Sequence, residues 1–173
     1  MKGIFLTAII LTAGIASNAQ DKFPQNFTGK WKGTLQWHRS GGQPQQVNME
    51  LYILPSTDSA GQYSWHLVYG AATTDSRPYI LKPVDTTKGH WVIDEVNGIV
   101  LDQFWVANRF IGSFTVGNST IVNSYYLENG DMIVEFIAYA AKASAKTGKG
   151  SEDSPFVDSY TIKSFQRAVL KKQ

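Results

Sequence analysis

Cysteine is absent from this 173-residue chain. That removes thiol nucleophiles, zinc–thiolate sites, iron–sulfur ligation and disulfides. Helix signals are nearly as scarce, since no window carries a capped i, i+3, i+4, i+7 apolar stripe. The three histidines, His38, His66 and His90, stand 28 and 24 residues apart. Those spacings match no local ligand motif, so no metal is expected. Basic residues are scattered, apart from a cluster over 142–149 and a Lys171-Lys172 tail. Nucleic-acid binding would want a basic stripe, and none exists. Gly-x-Ser-x-Gly, His-Glu-x-x-His and P-loop patterns are missing. The sequence names no catalytic residue and calls for no cofactor.

What is present begins with a leader. Lys2 precedes an apolar run from Ile4 to Ala16, and Ser17-Asn18-Ala19 forms a small-x-small cleavage pattern before Gln20. The run is too short for the roughly 18 to 20 apolar residues of a membrane span. No Cys follows it, which excludes a lipoprotein anchor. The expectation is a signal peptide over 1–19, cleaved after Ala19, and a secreted or periplasmic protein with no membrane span after cleavage. Residues 20–173 then form one domain, large enough to bury a core without disulfides. The net charge of +2 includes Lys2, so the mature chain carries +1.

Aromatic residues are plentiful: five Trp, eight Tyr and nine Phe, 13% of the chain. Most fall within period-two patterns. Trp31, Gly33, Leu35 and Trp37 alternate with Lys32, Thr34, Gln36 and His38, which reads as a strand with one buried and one wet face. Val47, Met49, Leu51 and Ile53 repeat that phase, as do Tyr63, Trp65, Leu67 and Tyr69. Further strands are expected at 79–84, 90–95, 99–106, 109–116, 120–128, 131–140 and 156–170. Asn97-Gly98, Gly117-Asn118 and Asn129-Gly130 are short hairpin signals. The Lys-, Ser-, Gly- and Ala-rich segment 141–155 reads as a flexible loop. A meander of about ten strands manages its edges best by closing, so the expected fold is an all-β, antiparallel up-and-down barrel of about 8–10 strands.

Phe27-Thr28-Gly29-Lys30-Trp31 near the start of the mature chain and Ser164-Phe165-Gln166-Arg167 near its end resemble the calycin superfamily, which includes lipocalins and fatty-acid-binding proteins. That resemblance implies a lipocalin-like barrel whose closed end is plugged by Gly29 and Trp31, with Arg167 packed across the Trp31 ring. It also implies an interior that takes a small molecule. Departures accompany the match: the second lipocalin motif and the long C-terminal helix are missing, and a Gly-Gly-Gln-Pro turn stands where fatty-acid-binding proteins carry a helical lid. The late histidine that holds haem in nitrobindin-like barrels is also missing.

Trp37, Tyr63, Trp65 and Tyr69 share the inward phase of the first three strands. As ordinary core they need no further role; as rings with polar tips they suit a cavity. Arg77 and Tyr79 follow a Thr74-Asp75-Ser76 turn, where a guanidinium could pair with an anionic head group. Phe114 lies near Gly112, which makes room for a ligand or for a bend. Glu135 sits between Val134 and Phe136. Periodicity points it outward, whereas an inward Glu135 would be a buried carboxylate touching a ligand. Asp94 and Glu95 face opposite ways on a strand and read as turn residues. The leading expectation is an exported barrel that binds a small hydrophobic or amphipathic ligand. The alternatives are a calycin-like lyase or isomerase using Arg77, Tyr79, Glu95 and Glu135, and a filled barrel that binds a protein partner of unknown identity.

Overall fold

The computed structural model describes residues 23–71 and 75–173. The expected leader and its Ala19 cleavage site lie outside the described residues, as does Thr74. Twelve strands follow one another: β1 (Gly29–Arg39), β2 (Gln45–Ile53), β3 (Tyr63–Tyr69), β4 (Ser76–Asp85), β5 (His90–Asp94), β6 (Val100–Val106), β7 (Arg109–Val116), β8 (Ser119–Glu128), β9 (Asp131–Ala140), β10 (Ala145–Thr147), β11 (Val157–Ser159) and β12 (Ile162–Lys172). Ten of them form a closed antiparallel barrel in which each strand pairs with its sequence neighbours, and β10 and β11 form a separate ribbon between β9 and β12. Closure comes from β1 against β12, in register from Trp31 opposite Lys172 to Arg39 opposite Ser164. No sheet edge of the barrel is left open.

The local sequence explains most of this path. Inward positions of β1, β2 and β3 bury Trp31, Leu35, Met49, Leu51, Ile53, Trp65 and Leu67. Asn129 and Gly130 both take positive φ (52° and 85°), the twist that a two-residue hairpin between β8 and β9 requires. Ala107 and Asn108 make a similar turn between β6 and β7, with φ of 48° and 60°. Among the described residues, helix is confined to single 3₁₀ turns at Gln25–Phe27 and Thr86–Lys88. No helix among the described residues covers the turn between β1 and β2.

Two expectations need correction. The segment 156–170 is not one strand: Val157–Ser159 pairs with Ala145–Thr147, and the barrel strand starts at Ile162. The 141–155 loop therefore carries half of a ribbon. Alternation in 156–170 reports extended backbone, but it cannot tell which strand will pair with it.

One end of the barrel is sealed by aromatic rings from the segment before β1. Phe23 stacks on Trp105 and Phe110 at 4.7 and 4.5 Å, and meets Trp91 edge-on at 5.2 Å. Phe27 is fully buried beside them. Trp31 Nε1 donates to the Phe27 carbonyl at 2.8 Å, satisfying the buried indole. The cation over the Trp31 ring is Lys172, at 5.3 Å. Arg167 does not hold that place. It pairs with Gln36 in register, five residues further along β1, and its side chain meets Glu135 and Glu128 on the outer wall. Strand phase causes this: Ala168 and Leu170 are buried inward, so Arg167 points out.

Candidate functional site

At the opposite end the barrel is open. Inward side chains there leave a cavity of about 530 Å³. Its walls are mainly apolar, from Leu35, Val47, Phe114, Ile121, Phe136 and Ala138. Trp37, Tyr69, Gln166, Asp75 and Arg77 add polar tips. Below it the barrel fills: Trp65, Phe110 and Tyr125 pack ring against ring, with Trp65 edge-on to Tyr125 at 4.9 Å.

The two charged residues of the cavity lining, Asp75 and Arg77, pair with each other. Arg77 donates from Nε and Nη2 to both carboxylate oxygens of Asp75, at 2.7 and 2.9 Å. That fork geometry is the strong form of the Arg–carboxylate contact. The hydrogen bond to Asp75 holds Arg77 protonated beyond its already high range. Its guanidinium also lies 4.9 Å from the Tyr69 ring centre. Burial pushes the Tyr69 hydroxyl well above the ordinary tyrosine value, with Tyr125 adding to the effect. Tyr79 is raised as well, first by burial and then by Glu95. All these hydroxyls are neutral donors at physiological pH. Trp37 carries Arg39 over its ring at 4.0 Å, and its own Nε1 is buried with no hydrogen-bond partner among the described residues.

Of the sequence candidates, the cavity brings together Trp37, Tyr69, Arg77 and Phe114. Trp65 is fully buried beneath it. Tyr63 lies towards the sealed end, where its hydroxyl accepts from Gln25 Nε2 at 3.3 Å. Tyr79 is half-buried behind Arg77, outside the cavity wall. Glu135 faces outward, against Arg167 Nε at 3.4 Å, Arg109 Nη1 at 3.7 Å and the Tyr126 hydroxyl at 3.3 Å. The inward alternative for Glu135 is thus set aside. The histidines do not converge: His66 bonds Ser76 Oγ at 2.8 Å, and His90 bonds Asp102 at 2.7 Å while stacking on Phe104.

Sequence reading missed Phe136, Ile121 and Gln166 in the wall, although their inward phase was available. It also missed a buried polar pair. Gln103 is fully buried, and neither its Oε1 nor its Nε2 has a partner among the described residues; Asn123, 3% exposed, has an unpartnered Oδ1. Gly112 lies between them in register, opposite both Gln103 and Asn123. A Cβ on Gly112 would come within 2.0 Å of the Gln103 amide. Gly112 therefore makes room for this buried amide, rather than for a bend.

No protein-family model matches the chain, and no curated protein matches it in sequence. Solved structures do match in shape. A protein of unknown function from the DUF3598 family of Nostoc punctiforme aligns with a TM-score of 0.59 at 10% identity, over 86% of this chain and 48% of that one. This chain thus spans about half the length of that neighbour. The S-type phycobiliprotein lyase CpeS of Guillardia theta aligns with a TM-score of 0.53, also at 10% identity, over 86% of this chain and 89% of that one. At such identity the likeness concerns the fold. Together with the closed ten-strand barrel, it fits a calycin-like architecture.

Proposed function

We propose that this protein is exported and binds one small, largely apolar molecule in the open half of its barrel. The observation that carries the reading is the cavity of about 530 Å³, walled by aliphatic and aromatic side chains and tipped by a few polar groups. That size and lining are typical of small-molecule sites, and the space weighs against a fully filled barrel acting only through its surface. Export rests on the leader pattern of residues 1–19.

A lyase is the second reading, favoured by the likeness to the Guillardia theta enzyme. Tyr79, flanked by Arg77 and Glu95, is the group to which proton transfer would fall. Fold likeness alone does not choose between carrier and catalyst.

The test is tryptophan fluorescence of the purified protein titrated with fatty acids, retinoids, sterols, bilins and haem. Saturable quenching at micromolar ligand, lost in an Ala138→Trp variant that fills the cavity but unfolds normally, is the expected result. A flat response across the panel would refute binding in this cavity. Turnover abolished by Tyr79→Phe with binding intact would move the reading to the lyase.

A further inference from the structure

Resting on that reading, the geometry points to a neutral ligand whose hydrogen-bond acceptor, a carbonyl oxygen on a flat ring system, is received by the Tyr69 hydroxyl and Arg77 at one corner of the open mouth. A polycyclic ketone has this chemistry.

The corner is built from two neighbouring strands. Tyr69 ends β3, and its backbone N–H donates to the Asp75 carbonyl just before β4 at 2.9 Å. Arg77 stands opposite Leu67, the inward residue two places before Tyr69. Its guanidinium therefore reaches the Tyr69 ring, 4.9 Å from the centre. Tyr69, Asp75 and Arg77 all line the cavity. The Tyr69 hydroxyl has no hydrogen-bond partner among the described residues, and unlike the sealed Trp37 Nε1 it stays open to the cavity.

What this corner leaves open is donors. Both carboxylate oxygens of Asp75 already accept from Arg77, through Nε and Nη2. The Nη1 amino group of Arg77, which Asp75 does not engage, still carries two N–H donors. Burial keeps the Tyr69 hydroxyl protonated, so it too can donate. The complement of these groups is an acceptor.

Charge decides what kind of acceptor. The cation of Arg77 is matched by Asp75, and the lining holds no other charged residue. A carboxylate seated here would bring a second anion beside Asp75, and like charges set together are costly. A carbonyl oxygen takes the same donors without that cost. The remaining space is faced by the rings of Trp37, Phe114 and Phe136. Aromatic faces and edges pack against other rings with a gain beyond the area they bury, which favours a flat ring system over a flexible chain.

The experiment is a series of four probes, each competing with Nile red in the purified protein: 2-acetylanthracene, 2-ethylanthracene, anthracene-2-carboxylate and 2-dodecanone. The acetyl compound should bind about ten-fold more tightly than each of the others. Tyr69→Phe, which removes only the unpartnered hydroxyl, should cut the advantage of acetyl over ethyl to less than three-fold and leave the ethyl compound within two-fold of its affinity for the unaltered protein. Equal or tighter binding of the carboxylate or of 2-dodecanone, or an acetyl advantage unchanged in Tyr69→Phe, overturns the inference while leaving the cavity reading in place. Failure of all four probes while another apolar ligand binds does the same, and failure of every ligand overturns both. If Tyr69→Phe does not fold, the ranking in the unaltered protein still decides.

Discussion

Replacing Gly112 with alanine adds a single methyl group to a strand, yet the surroundings make it a severe test of the barrel interior. The new Cβ would stand 2.0 Å from Gln103 Nε2 and 2.4 Å from its Cδ and Oε1. Real carbon atoms do not approach so closely, and Gln103 is fully buried with little room to retreat. Overpacking of this kind costs about 1–3 kcal/mol. Removing a glycine from a strand returns about 0.5–1 kcal/mol through the unfolded chain. The net expectation for Gly112→Ala is a loss of about 1–2 kcal/mol. Gln103→Ala removes the colliding atoms, so in that background alanine at 112 should gain the roughly 0.5–1 kcal/mol that the lost glycine returns. A double-mutant cycle cancels the glycine contribution and should therefore give a coupling equal to the clash, about 1–3 kcal/mol. Urea unfolding followed by tryptophan fluorescence measures all four proteins, provided their m-values agree. If Gly112→Ala is as stable as the parent, or equally costly in the Gln103→Ala background, the account of Gly112 as the slot for a buried amide is wrong.

At the sealed end, Phe27→Ala should cost about 3–5 kcal/mol in urea unfolding, because the ring is fully buried among Phe23, Trp31 and Trp105. Lys172→Ala should shift the emission of Trp31 and cost up to about 1 kcal/mol, whereas Arg167→Ala should leave that emission unchanged. Alkaline stability follows from Tyr125, whose hydroxyl is pushed up to about 12 by burial. The unfolded chain releases this proton near pH 10 and the folded chain only near pH 12, so the native state binds more protons across that window. Its contribution is intact below pH 10 and falls by about 1.4 kcal/mol per pH unit above it. Urea midpoints from pH 9 to 11.5 should show Tyr125→Phe gaining on the parent at that rate, and a constant gap would contradict the burial of that hydroxyl.

The fold was legible because the first three strands alternate cleanly and the hairpins carry left-handed Asn and Gly. The site was only half legible, for a geometric reason. A period of two reports whether a side chain points in or out, but says nothing of its height along the barrel axis. Trp37, Trp65 and Tyr63 share one phase, yet they lie at the open end, the middle and the sealed side respectively. Arg167 shows the converse error: its position near the chain end matches a family pattern, but its strand phase points it outward, and Lys172, five residues later and in the inward phase, meets the ring. Gln103 was hidden because β6 is mostly apolar on both faces, with Val100, Phe104 and Val106 exposed outside beside the lone Asp102, and Leu101 and Trp105 inside. A strand with hydrophobic residues on both sides gives no warning that one inward position is polar.

The aromatic seal has a kinetic consequence. A barrel closed at one end has a single doorway, so anything that occupies the cavity must leave by the path it entered and cross the same barrier in reverse. Substitutions at the rim, in the Ser40–Pro44 turn or beside Asp75, that touch neither the free nor the seated molecule would then scale arrival and departure by one factor. Exchange could be hastened or slowed by orders of magnitude while the equilibrium constant stayed where the interior set it.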